Sequence, residues 1–112
     1  MRDMLTMVNG TADVVLVNSA PVVRVSGEID LYSVDRLRAA LWRAEALTLA
    51  GDPLVVDCSK VTFLDSSGLH ALCDTAERIG LHGAEIVLRN PPGWVRRTIC
   101  AAGLDHVLRY EG

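Results

Sequence analysis

The run Leu54-Val55-Val56-Asp57-Cys58-Ser59-Lys60-Val61-Thr62-Phe63-Leu64-Asp65-Ser66-Ser67-Gly68-Leu69 decides the fold of this chain. Leu54 to Cys58 is a short apolar run following Gly51-Asp52-Pro53, too short for a helix, so it reads as a buried strand. Ser59-Lys60 interrupts it, and Val61 to Leu64 carries the chain to Asp65. From Ser66 the pattern changes period. Leu69, Leu72, Cys73, Ala76 and Ile79 recur at three- and four-residue steps, the mark of a helix burying one face, and Gly80 and Gly83 end it. A strand feeding a helix through Asp65-Ser66-Ser67-Gly68 is half of a strand–helix–strand unit.

The same alternation extends in both directions. Upstream, Val14–Val17 and Val22–Val25 are β-branched runs divided by Asn18-Ser19-Ala20-Pro21, which predicts a hairpin. Gly27-Glu28-Ile29-Asp30 leaves the second strand, and a helix begins near Ser33 as N-cap with Asp35 in its first turn. Val34, Leu37, Leu41 and Ala44 form its apolar stripe, while Arg36, Arg38 and Arg43 face out. Downstream, Ala84–Leu88 predicts a strand, and Pro91-Pro92 opens a third helix with Val95, Ile99 and Ala102 inward. Val107–Tyr110 is a final short strand. The fold class is therefore α/β: a hairpin, then helix and strand in alternation, giving a mostly parallel sheet. If the strands lie in sequential order, right-handed crossovers place all three helices on one face. Residues 1–12 read as an N-terminal arm and 13–112 as one domain.

At 112 residues one core suffices, with no metal or disulfide needed to hold it. The net charge of −3 is the wrong sign for nucleic-acid binding, which uses a basic face. Cys58, Cys73 and Cys100 are odd in number and show neither CxxC spacing nor metal-ligand spacing with His70, His82 or His106. They read as reduced cytosolic thiols, with Cys58 and Cys73 in the core and Cys100 outward. Trp42 and Trp94 read as partial core ahead of the alternative, interface hot spots, where Trp is enriched. No signal peptide or membrane span is expected, so the location implied is cytoplasmic. No Ser-His-Asp order or Gly-rich nucleotide loop is present, and the only lysine, Lys60, cannot complete a phospho-aspartate receiver. The expectation is a protein that binds rather than catalyses, without cofactor or metal.

Asp65-Ser66-Ser67-Gly68 has two readings. One is an ordinary capped helix start, with Gly68 allowing a tight entry. The other is an exposed hydroxyl at a helix N-terminus, where a phosphate would meet free N–H groups and a favourable dipole. The elements Gly27-Glu28-Ile29-Asp30, Val55-Val56-Asp57-Cys58, Phe63 to Leu69 and Ala102-Gly103-Leu104 occur in order. In that arrangement the sequence resembles the STAS-domain family, in particular bacterial anti-sigma factor antagonists, from about Val14 to Tyr110.

The resemblance implies a partner switch. Ser66 would be phosphorylated by an anti-sigma factor that is also a serine kinase. The unphosphorylated protein would bind that factor and free a sigma factor, and a serine phosphatase would reset the system. Asp30 matches the family's acidic position near the phosphorylated turn, and the resemblance places it in partner binding. As a residue it reads as a solvated turn carboxylate or as a cap of the first helix. His70 departs from the family pattern, in which relatives commonly carry a small residue, and this bears on the partner's identity. Ser67, His70, Asp74 and Arg78 recur along the polar side of the second helix and, with Asp30, Asp65, Ser66 and Gly68, outline a docking surface. The alternative is a STAS-type interaction subunit of a lipid-transport complex or stress-signalling scaffold, using the same helix face with no phosphorylation cycle.

Overall fold

A computed structural model of the protein describes residues Gly10–Gly112; most of the expected N-terminal arm, Met1–Asn9, lies outside them. Five strands, β1 (Thr11–Val17), β2 (Ala20–Ile29), β3 (Leu54–Leu64), β4 (Ile86–Arg89) and β5 (Arg109–Glu111), lie in sequential order in one sheet. β1 runs antiparallel to β2 and every other neighbouring pair is parallel. The helices are α1 (Val34–Leu47), α2 (Ser66–Gly80) and α3 (Gly93–Ala101). Sequential parallel strands joined by right-handed crossovers bring all three helices onto one face, as the alternation predicts.

The hairpin is tighter than the sequence suggests. Asn18 and Ser19 both hold positive φ (53° and 68°), the two-residue turn whose twist suits paired strands, and Ala20 and Pro21 already belong to β2. Pro21 sits one residue ahead of the point where β2 starts pairing with β3, where a missing donor is tolerated. β1 starts at Thr11, so the strand takes the end of the segment read as an arm. β2 does not end before Gly27 but runs to Ile29, and β3 is continuous through Ser59-Lys60. Two irregularities in the β2–β3 register, between Arg24 and Ser26 and between Gly27 and Glu28, absorb the extra residues. Gly27 takes φ 78° there, and the Asp57 carboxylate accepts the Ser59 N–H at 2.9 Å.

Alternation along β3 points Leu54, Val56 and Cys58 into a single core, where Val34, Leu37, Leu41, Leu69, Leu72, Val95 and Ile99 meet them. Several expectations shift at its edge. Ala102 is exposed, Cys73 is half-buried, and Trp42 stands out in solvent while Trp94 packs against the core. β4 starts at Ile86 and β5 at Arg109, each two residues later than the apolar runs suggest.

The helix-free face carries a feature that register alone creates. Asp13, Arg24, Asp57, Arg89 and Glu111 are successive cross-strand partners, one from each strand. Charge alternates along the whole row. Ion pairs close at its two ends, Arg24 to Asp13 at 3.3 Å and Arg89 to Glu111 at 2.6 Å.

Candidate functional site

β3 ends at Leu64 and Asp65 turns the chain into α2. Asp65 is the N-cap, extended at φ −102° and ψ −171°, and its carboxylate accepts the N–H of Ser67 at 2.8 Å and of Gly68 at 3.4 Å. Ser66 is the first helical residue and is exposed. This revises the expectation of free N–H groups awaiting a phosphate: Asp65 already holds two of them and already satisfies the helix dipole. A phosphate on Ser66 would stand outward beside a carboxylate. Gly68, expected on the docking surface, is buried instead. A Cβ there would run into the Leu64 side chain and come within 2.9 Å of Ile29 Cγ2. Its lack of a side chain seats the start of α2 on the ends of β2 and β3.

The neighbouring turn is tied to this one. Ile29 pairs with Leu64, and the Asp65 N–H donates to the Ile29 carbonyl at 3.1 Å, so Asp30 and Asp65 leave adjacent strands side by side. Asp30 is not a loose solvated carboxylate. Its Oδ1 accepts the N–H of Tyr32 at 2.9 Å and of Ser33 at 3.2 Å. Ser33 is buried and makes no side-chain cap to α1; its hydroxyl donates to the Glu28 carbonyl at 2.7 Å and accepts the Asp30 N–H at 3.1 Å. The turn thus presents Leu31 and Tyr32, the latter 86 % exposed, beside Asp30. Sequence reading passed over both; two apolar residues inside a turn were the available signal.

From Ser66 the exposed residues of α2 continue through His70 and Asp74, with Ser67 half-buried at the margin. The pitch also brings Cys73 and Glu77 to this outer side, which the sequence reading did not include. Asp74 and Arg78 are drawn towards α1. Arg38 Nη1 meets Asp74 Oδ2 at 3.3 Å, and Arg78 Nε donates to both carboxylate oxygens of Glu45 at 3.0 and 3.1 Å. That hydrogen bond raises the Arg78 pKa despite some opposing burial.

Comparison with known proteins shows the family of this chain. A family model described as "Mlab, STAS domain" matches residues 12–110. The chain belongs to the STAS-domain family. It is similar to the anti-sigma-F factor antagonist RsfB of Mycobacterium tuberculosis, 37% identical over 94 residues that make up 82% of this chain and 73% of that protein. It also resembles the crystal structure of an anti-sigma factor antagonist from Mycobacterium paratuberculosis. The TM-score is 0.73 at 36% identity, over 91% of this chain and 85% of that one. Phosphorylated SpoIIAA of Bacillus shares the fold, with TM-score 0.67 at 20% identity over 91% and 92% of the two chains.

Within this STAS domain the thiols divide by environment. Burial, helped by Asp57, pushes the Cys58 thiol up to about 12. Cys73 is also raised, first by desolvation and then by Asp74 and Glu77, and Cys100 is exposed. No group of His, Cys, Asp and Glu suited to a metal occurs among the described residues. Nor is any of their helices long and apolar enough to cross a membrane.

Proposed function

We propose that this STAS domain is a cytoplasmic anti-sigma factor antagonist. It binds an anti-sigma factor with serine kinase activity and so releases a sigma factor. Phosphorylation of Ser66 breaks the complex, and a serine phosphatase restores it. The protein is a binding module rather than an enzyme and uses no cofactor. Asp30, Asp65, Ser66, Ser67, His70 and Asp74 supply the docking surface, and Gly68 sets the height of the helix beneath it.

One observation carries this reading: the exposed Ser66 hydroxyl sits at a helix start whose N–H groups are already held by Asp65, next to the turn held by Asp30. A phosphate brings roughly 1.5–2 negative charges. With the cap occupied, the bulk and hydration of that group stand out into the docking face instead of being taken up by the helix, so the partner cannot close over Ser66. The relatives named anti-sigma factor antagonists support the choice of partner. Incubation with the cognate anti-sigma factor and ATP, followed by mass-spectrometric mapping, should place one phosphate on Ser66. A phosphate on Ser67 or Thr62 alone would contradict the assignment.

A further inference from the structure

We infer that the groove between α1 and α2 around Trp42 is a second part of the docking surface, taking an acidic segment of the same anti-sigma factor that docks at Ser66. The inference rests on the proposed function for the partner's identity. Its physical basis lies in the groove.

Trp42 is 67 % exposed although it lies in the middle of α1. Its indole is held in place: the Arg78 guanidinium carbon lies 5.6 Å from the ring centroid, and Arg78 is itself clamped on Glu45. A large aromatic surface with its orientation already fixed loses little entropy on docking, and Trp and Arg dominate the energetics of interfaces. Around it, Arg38, Ala39, Arg43, Asp74 and Arg78 complete an open groove of about 540 Å³.

Charge selects the occupant. Three arginines and one aspartate line the groove; Asp74 pairs Arg38 and Glu45 clamps Arg78, so Arg43 is the groove arginine left without an ion-pair partner among the described residues, in a chain of net charge −3. The Ser66 end, with Asp30 and Asp65, is negative. Both regions lie along α2 and share Asp74, and Asp65 and Arg78 are about 20 Å apart at the helical rise. A standard interface covers about 800 Å² on each side, enough for one partner to span both. Such a bipolar surface fixes the partner's orientation: a basic region meets the Ser66 end and an acidic segment lies across Trp42. A second copy of this chain, with its own acidic Asp30–Asp65 end, is the competing occupant.

Titration of the cognate anti-sigma factor against the full chain and its variants tests the inference. Trp42→Ala should bind at least tenfold more weakly with an unchanged unfolding midpoint. Arg43→Glu should bind severalfold more weakly and with a shallower salt dependence. In a Trp94→Phe background, Trp42 emission should move to shorter wavelength on complex formation. If Trp42→Ala and Arg43→Glu both bind within twofold of wild type while Ser66→Glu loses binding, the groove is not part of the interface and the switch stands. If Ser66→Glu binds like wild type, the switch reading fails, and the Trp42→Ala titration still decides the groove. Concentration-dependent dimerisation of the wild type, abolished by Trp42→Ala, would give the groove to a second copy and overturn the inference.

Discussion

At position 68 there is room for a hydrogen and nothing larger. Gly68→Ala should overpack the junction of Ile29, Leu64 and α2 and destabilise the domain by about 1–3 kcal/mol in denaturant melts. A melt within 0.5 kcal/mol of wild type would mean the core yields more easily than its burial suggests. Asp30 belongs at the same scale. Because its carboxylate holds the Tyr32 and Ser33 N–H groups, Asp30→Ala should cost about 1 kcal/mol of stability as well as weaken partner binding. Unchanged stability would restore the purely solvated reading. The quartet Asp65-Ser66-Ser67-Gly68 was legible as a helix start because capping is local chemistry. That Gly68 is a packing residue was not legible, since Ile29 and Leu64 reach it only through the fold.

At the scale of elements, helical period placed Leu69, Leu72, Ala76 and Ile79 correctly but put Cys73 one step too far inward. Thr75 takes the buried position instead, its hydroxyl satisfied by the Ala71 carbonyl at 3.0 Å. A period reading favours the more apolar residue type, whereas a threonine that bonds its own helix can be buried without an unmet polar group. Thiol labelling should therefore proceed with Cys100 fastest, Cys73 slower and Cys58 only on unfolding. Cys58 also couples β3 to pH. Its folded pKa, raised to about 12 mainly by burial, lies above the unfolded value near 9, so the unfolded chain loses this proton first. The stabilisation is complete below about pH 9 and falls away between about pH 9 and 12, by at most about 1.4 kcal/mol per pH unit. Cys58→Ala should flatten that part of the pH–stability curve, and an equal slope in both proteins would contradict the burial argument.

At the scale of the whole molecule, the direction of the strands could be read from alternation, because parallel neighbours require crossovers and crossovers have one hand; their sequential order entered only as a condition, which the sheet meets. The charged row Asp13–Arg24–Asp57–Arg89–Glu111 could not, because residues far apart in sequence become neighbours only once every register is set. A one-residue slip of any strand would send its charge to the core face, so the row helps specify the pairing. Asp57→Asn keeps an acceptor for the Ser59 N–H but removes the central charge. It should destabilise by about 0.5–1 kcal/mol at low salt, with the difference shrinking at high salt. A loss that does not change with salt would assign Asp57 to the bulge alone.

The proposed switch also belongs to the whole molecule, since it requires that a phosphate on Ser66 change docking while the domain stays folded. The most direct test is calorimetric titration of the anti-sigma factor into the unphosphorylated protein and into protein carrying a phosphate on Ser66, with thermal melts of both forms. The account predicts clear binding for the unphosphorylated form, binding at least tenfold weaker for the phosphorylated form, and superimposable melts. Equal affinity of the two forms would contradict it.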